Sequence, residues 1–193
     1  MLLYDSVASI FLIDEKKTRT RRAMKVCSLE NARREVACYN ALRGCQGFLR
    51  LRGWCKKKKE AVLILDLIRM DLEELYLGFA ALLTPREVAG LAMQMVSINN
   101  PYLHSITDLL QIGSLQTLHC KGFVHCDIKP SNFGVVPNIR NRSVDVYLFD
   151  FDLCVKDRGD DKLVQAPEGF RGNMTFASAN ALLGYGVYII DMI

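Results

Sequence analysis

The sequence predicts an α+β protein with two lobes around a cleft, and three observations carry that reading. The first third of the chain runs in short β-branched and apolar stretches separated by charged turns, with one helical stretch among them. From about residue 71 the apolar spacing becomes helical, and polar loops alternate with helix through the remainder. At 193 residues the chain has room for about one domain, two at most at roughly 150 residues each, and for a core of useful size. The change of pattern near residue 71 separates a strand-rich first third, with its one helix, from a remainder of helices and loops. No internal repeat is visible.

The elements follow in order. Residues 7–27 read as a β-hairpin: Val7–Ile13 and Ala23–Cys27 are its strands, and Asp14–Arg22 is the charged turn. Ser28-Leu29-Glu30-Asn31-Ala32 opens a helix to about Leu42, with Ala32, Val36, Tyr39 and Leu42 at helical spacing. Gly44 and Gly47 end it. Leu49–Trp54 and Ala61–Ile68 read as two further strands, and Lys56–Lys59 as their solvated turn rather than a nucleic-acid patch. Thr84-Pro85-Arg86-Glu87 is a capping box with proline at the first helical position, followed by the stripe Val88, Leu91, Met95. Asn99-Asn100-Pro101 interrupts that helix. If the 17 residues 97–113 are excised, Leu115 and Leu118 move back to positions 98 and 101 and continue the stripe. The segment therefore reads as an insertion, either a genuine loop or a translated intron. Beyond Gly122 come Phe123-Val124-His125, a polar loop, short strands over 132–136 and 144–149, and an irregular stretch over 152–172.

Composition narrows the function classes. Half the residues are hydrophobic and 24% are charged, which suits a folded domain and excludes a disordered one. A net charge of +4 suits a phosphate-bearing ligand without demanding nucleic acid. No apolar run approaches the roughly 18 residues needed to cross a bilayer, so no membrane partner is expected. The start, Met1-Leu2-Leu3-Tyr4-Asp5, lacks the basic flank of a signal peptide. Seven cysteines without a Cys-x-x-Cys pair point to reduced thiols, hence to the cytoplasm or nucleus. His104 and His119 have no metal-ligating neighbours, and His125 suits a structural bond to the backbone.

The densest chemistry is His125-Cys126-Asp127-Ile128-Lys129-Pro130-Ser131-Asn132. Phosphoryl transfer needs a carboxylate to orient and deprotonate the attacking hydroxyl, a cation for the moving phosphoryl, and an oxygen donor for Mg²⁺. Asp127, Lys129 and Asn132 supply all three in one loop. Asp150 follows an apolar strand, at a place where it can face the cleft and bind a hard cation. Lys25 on a strand and Glu35 on the next helix have the spacing for an ion pair that aims the ammonium at the α- and β-phosphates.

On these residues the chain resembles the eukaryotic protein kinases from residue 7 to about 183. His125–Asn132 corresponds to the catalytic loop, Asp150-Phe151-Asp152 to the Asp-Phe-Gly motif, and Ala23-Met24-Lys25 to the β3 lysine motif. Asp71-Leu72-Glu73-Glu74-Leu75 and Gly172–Asn180 resemble stretches of the casein kinase 1 group. The resemblance implies a two-lobed protein-kinase-like fold, ATP and Mg²⁺ as cofactors, and a protein Ser/Thr hydroxyl as acceptor. It implies Asp127 as catalytic base, Lys129 on the transferred phosphoryl, and Asn132 and Asp150 as metal ligands. Lys25, positioned by Glu35, would contact phosphates. Ile10 and Ala23 would cover adenine, while Asp66 and Ile68 offer it backbone groups beside the gatekeeper Leu65.

The pattern also departs from that family. The three loop glycines fall on Leu3, Asp5 and Ala8, so the backbone approaches phosphates less easily and nucleotide binding is expected to be weak, unless the true start lies upstream. Asp152 replaces the glycine of Asp-Phe-Gly and is expected to face solvent. Cys126 replaces an arginine that answers activation-loop phosphate, and Asn173 replaces a threonine that bridges the catalytic Asp and Lys. The chain stops at Ile193 with Leu182, Leu183, Val187, Ile189 and Ile190 crowded near its end, which reads as a truncated lobe with uncovered apolar surface. An active Ser/Thr protein kinase is the leading expectation. A pseudokinase acting as a binding module is the rival. A small-molecule kinase is disfavoured by Gly172–Asn180.

Overall fold

Alternation along the chain builds the first sheet, in a computed structural model that describes residues 8–16, 18–79, 83–95, 113–138, 143–156 and 172–183. Strands β1 (Ser9–Glu15) and β2 (Thr20–Ser28) form the expected hairpin. Its strands run further into the charged segment than the sequence suggests. The cross-strand pairs Arg21–Asp14 and Arg22–Glu15 let Asp14, Glu15 and Thr20–Arg22 stay extended and opposed. Helix α1 (Leu29–Ala41) follows, with the Ser28 hydroxyl accepting from the Asn31 N–H at 3.2 Å. Strands β3 (Leu51–Lys57) and β4 (Glu60–Asp66) complete an antiparallel sheet of order β1-β2-β4-β3. Lys56 and Lys57 belong to β3, so the lysine turn shrinks to Lys58 and Lys59, with Lys58 at φ 56°.

One face of this sheet explains the placement of much that follows. Ala61, Leu63 and Leu65 alternate as buried residues along β4. Opposite them in β2 stand Cys27, Lys25 and Ala23, and Ile10 of β1 pairs with Lys25. Cys27, Ala61 and Leu63 pack with Ala32 and Val36 of α1. The helix covers part of that face, and Lys25 and Ala23 lie beside it.

Past Asp66 the chain enters β5 (Met70–Asp71), α2 (Leu72–Phe79) and α3 (Pro85–Met95). The Thr84 capping box forms as read: Glu87 N–H donates to Thr84 Oγ1 at 3.3 Å, and Thr84 N–H to Glu87 Oε2 at 2.8 Å. A second reciprocal cap joins Asp71 and Glu74 at 2.8 and 3.2 Å. Next come α4 (Ser114–Cys120), β6 (Phe123–Val124), a 3₁₀ turn (Pro130–Asn132), β7 (Phe133–Asn138) and β8 (Ser143–Leu148). Strands β5, β7 and β8 form a second sheet, and β6 pairs with β9 (Val155–Lys156) inside a stretch read as irregular. Helix α5 (Ala179–Leu182) closes the described chain, with the Ser178 side chain capping it.

The α+β class, with the antiparallel sheet and its helix first, is the architecture observed. A shared core fuses the two parts: Cys38, Tyr39 and Leu42 of α1 pack with Leu65, Leu115, Leu118, Phe133, Leu148 and Phe151. Fully burying a side chain such as Phe133 or Phe151 contributes about 1.5–3 kcal/mol. The seven cysteines are unpaired with one another, and Cys38 and Cys154 approach to 3.8 Å in the core. No described helix is long and apolar enough to cross a membrane. Leu3, Asp5, His104, Val187, Ile189, Ile190 and residues 97–112 of the expected insertion lie outside the described residues.

Candidate active site

Lys25 is the first element of the site, and the sheet buries it to 4% exposure. Its ammonium lies 2.9 Å from Glu35 Oε2 and 2.5 Å from Asp150 Oδ1. Glu35 has no exposed surface, because α1 turns it inward between Asn31 and Tyr39 onto the sheet. Burial pushes the Glu35 carboxyl up to about 7, against the opposing pull of the Lys25 ammonium. Burial disfavours charge on Lys25, but the Glu35, Asp150 and Asp152 carboxylates outweigh it and hold the ammonium above its ordinary range.

The loop after β6 supplies the second element. Asp127 Oδ2 receives Lys129 Nζ at 2.7 Å and Asn132 Nδ2 at 3.1 Å. Asn132 Nδ2 also donates to the Asp127 carbonyl at 2.7 Å. Two acceptors fix the amide with its nitrogen toward Asp127, so its oxygen is left as a hard donor for another ligand. Asp127 Oδ1 is buried and has no hydrogen-bond partner among the described residues. His125 is fully buried. Its Nε2 donates to the Phe149 carbonyl at 3.1 Å and its Nδ1 accepts the Asp127 N–H at 3.3 Å, the arrangement of a neutral ring. Burial holds its pKa below the usual value, in agreement.

Two backbone bonds bring these elements together. The Phe149 N–H donates to the Asn132 carbonyl at 3.1 Å, while its own carbonyl takes His125. Asp150 is thereby fixed beside the Asp127 loop while it reaches Lys25. Cys126 and Asp150 both have positive φ, 65° and 66°. Arg19 and Lys58, the other described non-glycine residues in that region, sit in hairpin turns. Strain of about 1–3 kcal/mol per such residue persists only where the surroundings over-determine it, and it concentrates at functional sites.

The residues expected around adenine are less closely assembled. Ile10 shares the sheet face of Lys25 but is 62% exposed. Ala23 lies on the same face, opposite Leu65. The Asp66 carboxylate binds Arg22 and Arg52, each at 2.7 Å, and its N–H donates to Arg50 O at 3.2 Å, so a ligand could take only its carbonyl. Ile68 packs on Gly134 so closely that a methyl there would stand 2.6–2.7 Å from three Ile68 carbons.

One expectation is overturned, and three contacts went unread. Asp152 is 6% exposed rather than solvent-facing, because Arg34 Nε donates to its carbonyl at 2.9 Å and draws the turn against α1. Asn173, which stands in place of the bridging threonine, does hydrogen-bond: its Oδ1 accepts the Thr175 N–H at 2.8 Å in an Asx turn. Phe151, fully buried, packs edge-on to Tyr39 at 4.9 Å and against His125 at 5.4 Å, joining α1 to the loop. Neither that stack, nor the Ile68–Gly134 contact, nor the close approach of Gly172 to the Asp127 loop was legible in the sequence. A glycine in the middle of a strand was the one available signal for Gly134.

Asn132 and Asp150 could hold a divalent cation. Mg²⁺ commonly takes one or two protein carboxylates together with phosphate oxygens, and a free amide oxygen plus a carboxylate suit that demand. Among the described residues no cluster of three or more His, Cys, Asp or Glu offers an all-protein cage.

The sequence model of the protein kinase domain matches residues 6–188. A protein of Dictyostelium discoideum, described as a probable serine/threonine-protein kinase, is 40% identical over 75 residues. That stretch covers 37% of this chain and 15% of the relative.

Proposed function

The chain belongs to the protein kinase family, and from that premise we propose that it transfers the γ-phosphoryl of ATP to a protein Ser or Thr hydroxyl, as a member of the casein kinase 1-like group. The observation that carries the reading is the Lys25 ammonium held between Glu35 and Asp150, with Asp150 fixed by Phe149 to the loop of Asp127, Lys129 and Asn132. In this reading Lys25 meets the phosphates, Asp127 accepts the hydroxyl proton, Lys129 offsets charge on the phosphoryl, and Ile10, Ala23, Asp66 and Ile68 surround adenine. Asn132 and Asp150 would hold Mg²⁺, which would supply neutralisation of phosphate charge. Residues 1–68 and 69–193 form the two lobes, with 97–113 inserted in the second, and free thiols suit the cytoplasm or nucleus.

The test compares ATP turnover by this chain and by Asp127→Asn. The reading requires turnover in the first and loss by at least a hundredfold in the second. Equal rates, or none from either, refute catalysis by this chain.

A second reading is a pseudokinase that binds partners without transfer. Asp152 favours it, because a buried carboxylate near Lys25 adds negative charge where phosphates would sit. Leu3, Asp5 and Ala8 at the glycine positions point the same way. A thermal-shift titration with Mg-ATP separates the cases: absence of any shift at millimolar nucleotide favours the scaffold.

A further inference from the structure

We propose that Gly172 is the positioning residue that holds Asp127 in place, and that it does so through its backbone, as a bare Cα pressed onto the Cys126 carbonyl. This rests on the kinase reading for the role of Asp127. A methyl built on Gly172 would stand 2.3 Å from the Cys126 oxygen, 3.4 Å from the Cys126 carbonyl carbon and 3.6 Å from Asp127 Oδ1. The first contact is far inside van der Waals distance and involves backbone on both sides, so no rotamer change relieves it. Gly172 also has φ 101°, a conformation that side chains rarely adopt. Glycine is therefore required here twice over, once by space and once by conformation.

What Gly172 presses on is the least relaxed peptide of the loop. Cys126 stands at φ 65°, and the following N–H is held from the other side by His125 Nδ1 at 3.3 Å. The Cys126–Asp127 peptide is clamped between the buried imidazole and the Gly172 backbone. That clamp sets the direction of the Asp127 side chain. Oδ2 is taken by Lys129 and Asn132, while Oδ1, buried and without a hydrogen-bond partner among the described residues, lies on the Gly172 side. The neighbouring Asn173 has its oxygen on the Thr175 N–H.

The test uses the full chain with Gly172→Ala, with Asn173→Ala as comparison. Two readouts are taken below the melting temperature and normalised to folded protein. The first is the split between kcat and KM for Mg-ATP. The second is the ¹⁵N chemical shift of His125 Nδ1, which reports its bond to the Asp127 N–H and needs no turnover. Expected are a kcat at least tenfold lower in Gly172→Ala with KM for Mg-ATP within twofold, a changed Nδ1 shift, and both readouts unchanged within twofold or within error in Asn173→Ala. An unchanged Nδ1 shift in folded Gly172→Ala overturns the proposal, as does an unchanged kcat per folded molecule beside a lowered melting temperature. If the native chain turns over no ATP, the kinase reading falls and the Nδ1 signal alone decides whether Gly172 holds the loop.

Discussion

Lys25 and Asp150, 125 residues apart in the chain, meet through an ammonium–carboxylate contact of 2.5 Å, and the same ammonium lies 2.9 Å from Glu35. One buried cation thus answers two carboxylates, one on a helix and one at the end of a strand. Removing one partner of such a buried group typically costs about 3–5 kcal/mol.

The pH dependence of Lys25→Met follows from Glu35. Its carboxyl is raised from 4.5 to about 7 in the folded chain, so the folded state binds the proton more tightly than the unfolded one. This group's contribution to stability is full below about pH 4.5 and is lost as pH rises toward 7. Without Lys25 the carboxyl is harder still to ionise, and the loss extends to higher pH. Urea unfolding should show Lys25→Met more destabilised relative to the native chain at pH 8 than at pH 6. In Glu35→Gln the pH dependence between 5 and 7 should flatten.

A paired substitution checks the seat of Ile68. Gly134→Val introduces atoms where three Ile68 carbons already lie, and overpacking of this kind costs about 1–3 kcal/mol. Ile68→Ala in the same chain vacates that volume. The double variant should melt above Gly134→Val alone, and a double-mutant cycle by thermal denaturation measures the coupling.

Phe151→Ala should lower unfolding free energy by about 3–5 kcal/mol, since the ring is fully buried between Tyr39, Phe48 and His125. Phe151→Leu retains most of the apolar volume and should lose less than half as much. Equilibrium unfolding in urea compares the two.

Ser28→Ala should cost about 1 kcal/mol through loss of the bond to the Asn31 N–H. Because α1 carries Glu35, fraying of its first turn should also accelerate amide exchange near residues 31–35. Hydrogen-exchange mass spectrometry would show it.

What could be read in advance was what is local. Ser28 and Thr84 announced their helices because a cap is completed within three residues. The β1–β2 hairpin and the strand of Lys25 followed from short-range alternation. The spacing of Asp127, Lys129 and Asn132 within one loop was equally visible, and their side chains do meet. The burial of Asp152 was hidden because Arg34, 118 residues earlier, pulls that turn inward. The seat of Ile68 on Gly134 and the stack of Phe151 on Tyr39 depend on how separate elements dock, which no window of neighbours encodes. Turn lengths were misjudged where cross-strand charge pairs such as Arg22–Glu15 extended the ladder.

Phe149 offers its N–H to Asn132 and its carbonyl to His125, which rivets two stretches of main chain together on both sides of a single residue. The Asp127 loop and the carboxylate of Asp150 must then travel as one solid piece. Breathing of the cleft falls instead on the contacts between α1 and this piece, the stack of Phe151 on Tyr39 and the ion pairs of Lys25 among them. Because Lys25 and Glu35 are shielded from water, added salt should slacken the upper wall of the cleft far less than removal of either partner would.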